Sequence, residues 1–146
     1  MIRMQRIGRC SINLKCDQDG LDQLLTALEF IAEKREVEVE FDRRIINRKT
    51  TKFESRKMIF MLDRNQDRFG EICDIDGRLV WIFSTEDYEY AMDALVRCKE
   101  EGCFNPAEFL DIKQKNIQDC IYCELIDEID RKIIIRSVSQ ERIRYV

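Results

Sequence analysis

Four cysteines fall in two close pairs, Cys98 with Cys103 and Cys120 with Cys123. Four thiolates at such spacings could hold one zinc ion. The surroundings of each pair favour packing instead. Cys98 ends the apolar stripe of a helical stretch that Gly102 would stop. That makes Cys98 the C3 residue and Cys103 the C″ residue of a Schellman cap, two positions that touch hydrophobically. Cys120 and Cys123 stand three apart in a strand-like run, so their side chains point to opposite faces, and no glycine or proline bends the backbone between them. Small buried hydrophobes are the leading reading, with a zinc protein using Cys98, Cys103, Cys120 and Cys123 as an alternative. No cofactor is expected. The run from Asp63 to Asp74 sets oxygen ligands at positions 1, 3, 5 and 12 of a calcium loop. Arg68 stands where that loop needs glycine, and both flanks read as strands, so a solvated turn is expected.

Carboxylates gather in one stretch and cations in the next. Residues 17–42 hold nine Asp or Glu against two Lys or Arg. Glu36, Glu38, Glu40 and Asp42 alternate with Val37, Val39 and Phe41. Such a strand lines one face with carboxylates about 6.6–6.8 Å apart, too open for an acid–base pair without a pocket around it. The face is either solvated or a docking strip for a basic partner, and four like charges in a row invite neutralisation. Residues 43–57 carry Arg43, Arg44, Arg48, Lys49, Lys52, Arg56 and Lys57 against Glu54 alone. A basic stretch with one aromatic, Phe53, could meet phosphate or nucleic acid, with Arg43, Arg44, Arg48, Lys49 and Lys52 as the contacts. No paired aromatics of an RNA-binding strand, no GxxG and no helix-turn-helix pattern accompany it.

The chain has no histidine. That removes the side chain whose unperturbed pKa lies nearest neutrality, and with it Ser-His-Asp, Cys-His and HExxH chemistry. Neither GxGxxG, a P-loop nor GxSxG occurs, and five glycines leave little room for a backbone phosphate cradle. The expectation is a protein that is not an enzyme. The amino-terminal run has charges without an apolar stretch behind them, and no window approaches 18 apolar residues, so neither export nor membrane spanning is expected. Seven cysteines, an odd number, then read as free thiols in the cytoplasm.

The elements that must carry these residues follow from periodicity. Residues 10–16 alternate as a strand. Leu21, Leu24, Leu25, Leu28, Ile31 and Ala32 mark an amphipathic helix. Residues 36–42 form the acidic strand, and 43–57 a long loop or irregular hairpin connection. Residues 58–62 are a buried strand, and Asp76-Gly77 joins two more as a hairpin. Ser84 caps a second helix carrying Tyr88, Ala91, Met92, Leu95 and Cys98. Pro106 would open a short helix to about Lys113. Residues 120–126 and 132–138 would close the fold as a hairpin. The order β-α-β-β-β-β-α-β-β predicts one α+β domain over residues 1–146, a mainly antiparallel sheet with two long helices packed on one face. The units 10–34 and 79–101 read equally well as a degenerate duplication or as chance, with Ala27-Leu28 and Ala94-Leu95 shared. The apolar runs at 58–62 and 79–83 suit either cover by helices or a homodimer interface.

The run from Ile12 through Gly20-Leu21 to Ile31, with the alternating residues 36–42 after it, resembles the strand–helix–strand opening of small bacterial immunity proteins of polymorphic toxin systems. The resemblance implies a cytosolic inhibitor that docks on a toxin domain, often a basic one. The acidic strip suits that role by charge complementarity. The leading expectation is therefore a protein-binding module contacting a basic partner through Glu36, Glu38, Glu40 and Asp42. The alternatives are a nucleic-acid-binding or regulatory protein using 43–57, and the cysteine–zinc protein.

Overall fold

The computed structural model describes residues 1–33, 36–47, 50–65, 70–114 and 117–126. The first half comprises β1 (Ile2–Arg6), β2 (Ser11–Cys16), α1 (Gln18–Glu33), β3 (Glu36–Asn47) and β4 (Thr50–Asp63). The second comprises β5 (Gly70–Ile75), β6 (Arg78–Ser84), α2 (Thr85–Glu101), β7 (Glu108–Gln114) and β8 (Ile117–Leu125). The strands close into a barrel in the order β1-β2-β8-β7-β5-β6-β4-β3. Advancing every strand number by four returns the same ring, so the barrel has a topological twofold. Four antiparallel hairpins, β1–β2, β3–β4, β5–β6 and β7–β8, are seamed by four parallel pairs, β1–β3, β2–β8, β4–β6 and β5–β7.

This corrects the expected mainly antiparallel sheet with two long helices on one face. Four pairs of strands adjacent in the chain do pair antiparallel, one of them across the expected Asp76-Gly77 turn. Each helix, however, returns the chain parallel to the strand before last, so β3 lies on β1 and β7 on β5. Those seams close the ring, and a closed ring has no edge strands. Two further readings change. Residues 108–114 are strand β7 rather than a helix, with Phe109, Leu110 and Ile112 buried. Residues 132–138, expected as the last strand, lie outside the described residues.

The sense of the strands fixes the two ends of the barrel. The even-numbered strands run one way and the odd-numbered ones the other. All four hairpin connections therefore lie at one end and both helices at the other. Each helix starts on a side-chain cap. Asp17 Oδ1 accepts from Gly20 N–H at 2.8 Å, and Ser84 Oγ accepts from Asp87 N–H at 3.1 Å. The offset that carries Asp17 to Ser84 also carries Leu24 to Ala91, Ala27-Leu28 to Ala94-Leu95, and Ile31 to Cys98. The helical residues of this set form the faces turned to the core, all buried but Ala94, which is partly buried. The helices meet where Lys99 Nζ pairs with Asp22 Oδ1 at 2.9 Å.

The helical faces share one core with the inward strand residues, among them Leu14, Cys16, Met58, Phe60, Trp81, Phe83, Ile121 and Cys123. Trp81 stacks on Phe83 at 4.7 Å, and Phe60 lies edge-on to Trp81 at 5.3 Å. Such ring pairs contribute about 0.5–1.5 kcal/mol each beyond the area they bury. The outward positions of β3 carry Glu36, Glu38 and Glu40 while Val39 and Phe41 face in. That is the reverse of the pattern by which a barrel faces lipid. No described helix is long and apolar enough to cross a membrane.

Candidate ligand site at the barrel mouth

The helices fill one end of the barrel and the hairpin end stays open. A cavity of about 580 Å³ enters there. Its floor is apolar, made of Met4, Ile12, Phe41, Met58, Ile72 and Leu79 from six different strands. Its rim is polar, with Arg6, Arg43, Arg56, Lys57, Asp74 and Gln114. The β3–β4 hairpin is the longest, 12 and 14 residues against 5 to 9 elsewhere, and its register runs unbroken from Glu36↔Met61 to Asn47↔Thr50. It overhangs the mouth. Of the basic segment 43–57, expected as a loop or irregular connection, the described residues 43–47 and 50–57 belong to the distal half of this hairpin.

The rim charges differ in how far they are already engaged. Arg6 grips Asp119 with both terminal nitrogens, at 3.0 and 2.8 Å, and also donates to Gln114 Oε1 at 2.9 Å and Arg9 O at 3.0 Å. Asp119 is fully buried. The hydrogen bond to Asp119 raises the Arg6 pKa, against the opposing pull of burial. Arg56 pairs with Glu54 at 3.1 Å and Lys57 with Glu38 at 3.3 Å. Asp74 Oδ1 accepts from Gly77 N–H at 2.8 Å. Arg43 is exposed and makes no ion pair among the described residues.

The acidic strip sits on the outside of the barrel, away from this cavity. Glu36 reaches Arg78 at 3.5 Å, Glu38 reaches Lys57, and Glu40 accepts from the Ser55 hydroxyl. Asp42 lies beside Arg3 in the β1–β3 register, and the Arg3 guanidinium stacks 3.8 Å over the Phe53 ring. Neighbouring strands thus relieve the repulsion that the alternation creates. Such exposed pairs contribute about 0–1 kcal/mol each. Of the basic set, Arg43 reaches the mouth, Lys52 is exposed on β4, and Arg44 lies on β3 opposite Phe53. Arg48 and Lys49 lie outside the described residues.

The four cysteines of the zinc alternative do not converge. Cys123 is buried and faces in; Cys120 is half-buried on the other face of β8. Gly102 ends α2 with φ 80° and its N–H on Cys98 O at 2.8 Å, an αL cap. Cys103, just past the cap, is exposed while Cys98 is buried. Among the described residues no three His, Cys, Asp or Glu could hold a metal. Burial pushes the Cys16 thiol up to about 12 and Cys98 up to about 11, and raises Cys123 as well. These thiols are protonated packing groups at neutral pH. In the run from Asp63 to Asp74, compared above with a calcium loop, residues 66–69 lie outside the described residues and 70–74 belong to strand β5.

The floor was missed in the sequence because it is drawn from six strands. The Arg6–Asp119 pair joins residues 113 apart in the chain, and only the alternation of Ile2, Met4 and Arg6 with Arg3 and Gln5 points to β1. Set against known proteins, the chain matches no family model, no curated protein and no solved structure.

Proposed function

We propose that the protein is a non-enzymatic binder of a small amphipathic molecule, which it seats in the hairpin end of the barrel. The observation that carries this reading is the apolar floor of Met4, Ile12, Phe41, Met58, Ile72 and Leu79 under a polar rim, at the end the helices leave open. Barrel mouths are a common place for such sites, and the volume falls in the usual range of about 300–1,000 Å³. The rim groups are guanidinium, ammonium, carboxylate and amide. Arginine stays charged at any physiological pH and is a poor proton acceptor, so the arrangement suits holding a ligand better than transforming one.

Docking of a basic protein on Glu36, Glu38, Glu40 and Asp42 has less support, because the chain's own Arg78, Lys57 and Ser55 engage three of those carboxylates. Nucleic-acid contact through 43–57 is less favoured because Arg43 and Arg56 line a concave apolar-floored cavity rather than a flat basic face.

The single tryptophan supplies the test. Trp81 lies across the β5–β6 ladder from Ile72, a floor residue. Titrating decan-1-ol below its solubility limit is expected to change Trp81 emission saturably. Leu79→Arg places a charge in the floor and is expected to abolish the change while the thermal melt stays cooperative. A linear, unsaturable response in the wild type, or an unaltered response in Leu79→Arg, would sink the proposal.

A further inference from the structure

We infer that the ligand of this mouth is an anion, a carboxylate on an apolar body, and that Arg43 reads its charged head. The inference rests on the binding role proposed above and names the class of ligand.

The argument starts from which rim charges are engaged. Arg6 is held by buried Asp119 and cannot turn to a ligand without leaving that carboxylate unpaired. Arg56 is engaged by Glu54 and Lys57 by Glu38. Asp74, the carboxylate on the rim, already accepts the Gly77 amide. Arg43 alone combines a place on the rim, an exposed side chain and no ion pair among the described residues.

Position strengthens the case. Val39 and Phe41 point inward along β3, so the period of two aims Arg43 into the mouth, one step above the Phe41 floor. In register it sits beside Met4, a second floor residue. Arg56 and Lys52 follow the same period on β4, so this face of the overhanging hairpin carries three cations against Glu54. A guanidinium offers a planar pair of donors that matches a carboxylate, and partial exclusion of water by the floor strengthens the bond. The apolar body then lies on Phe41, Met4 and Met58, and the head stays at the rim where water reaches it.

The experiment compares decanoate, decan-1-ol and decylamine, which share a chain and differ in the head. The acid and the amine are titrated below their micelle thresholds and the alcohol below its solubility limit, with Trp81 emission as readout. Decanoate is expected to bind about tenfold tighter than the alcohol, the gain of one charge-assisted pair. Arg43→Gln should erase that tenfold and leave the alcohol within about twofold. Arg43→Lys, which keeps the charge without the fork, should fall between. Saturable binding of acid and alcohol with equal affinity would overturn anion selection while leaving the binding role standing. Preference for the amine would overturn it in favour of Asp74. Anion preference that survives Arg43→Gln and vanishes in Arg56→Gln would overturn the assignment to Arg43. Failure of all three to saturate would overturn both readings.

Discussion

At the hairpin end the first half of the barrel places Arg6, Arg43 and Arg56 where the second half places Asp74, Gln114 and Asp119. The correspondence follows from register. Met4 faces Leu14 as Ile72 faces Trp81, and Phe41 faces Arg56 as Ile112 faces Asp119. Deeper in the barrel the same correspondence joins apolar residues to apolar residues: Leu14 to Trp81, Cys16 to Phe83, Phe60 to Cys123. The large members gather on one side of the barrel. Phe60, Trp81 and Phe83 cluster at the β4–β6 seam, while Leu14, Cys16 and Cys123 lie at the β2–β8 seam. The interior is filled from unequal halves, since close packing requires total volume rather than symmetry. The mouth is different. Water reaches it, so its residues are free to diverge, and the halves diverge in charge.

The sharpest way to break this comparison is to remove equivalent mouth residues. Arg6→Ala leaves buried Asp119 without its partner. Breaking a fully buried pair in this way costs about 3–5 kcal/mol. The Arg6 side chain is 46% exposed, so water relieves part of the loss and about 2–4 kcal/mol is expected. Asp74→Ala removes one exposed turn bond to Gly77 and should cost under about 1 kcal/mol. Urea unfolding of the two variants measures the difference. Equal costs would mean that Asp119 takes a proton or a new partner when Arg6 is lost.

A second, smaller contrast lies at the helix end. Helix glycines normally gain about 0.5–1 kcal/mol on replacement by alanine. At Gly20 the sign reverses. A Cβ there would overlap the Met1 carbonyl, which is backbone and accepts the Asp17 N–H at 3.2 Å. At Gly70 the Cβ would stand 2.6 Å from Asp87 Oδ2 and 2.9 Å from Ile82 O. One of those obstacles is a side chain that can turn away. Gly20→Ala is expected to cost about 1–3 kcal/mol. Gly70→Ala should cost less, and part of its cost should vanish in an Asp87→Ala background. Thermal melts of the two singles and the double check this. A stabilised Gly20→Ala would show that the amino-terminal strand moves aside freely.

The same contrast explains what the sequence disclosed. Both helices, the Ser84 cap and the Asp76-Gly77 hairpin follow from local patterns, and the structure places them there. The ring does not. Whether β3 lies beside β1 or elsewhere depends on parallel pairing across a helix, which leaves no trace in spacing. Strand β1, five residues long and half polar, gives too short an alternation to read. Pro106 looks like a helix opener because proline suits a first helical turn, yet Phe109, Leu110 and Ile112 are worth more buried in the barrel. Site residues divide the same way. Arg43 lies in a basic run that composition marks. Its apolar companions Met4, Ile12 and Ile72 come together only when the ring closes.

The finest contrast concerns a single proton. Asp87 occupies in α2 the position that Gly20 holds in α1, so the second half puts a carboxylate where the first has a glycine. Burial raises the Asp87 pKa, and the bonds from the Gly70 N–H and Ser84 oppose the rise without cancelling it. The folded chain therefore holds this proton more tightly than the unfolded one. The stability it contributes is present below the unfolded value, about 3.9, and is lost as pH climbs through the higher folded value. Asp87→Asn keeps an acceptor for Gly70 and removes the titration. Its stability relative to wild type should rise as pH goes from about 3.5 to 6. The gain should stay under about 1 kcal/mol, since Asp87 is only half-buried and water screens it. Urea unfolding at several pH values reads this directly. A difference that stays flat would place the ionised carboxylate at no disadvantage in the clasp. A difference that falls with pH would mean that the Gly70 and Ser84 bonds outweigh burial, and that the second half is held by charge as the first is held by the Met1 amino group on Asp17.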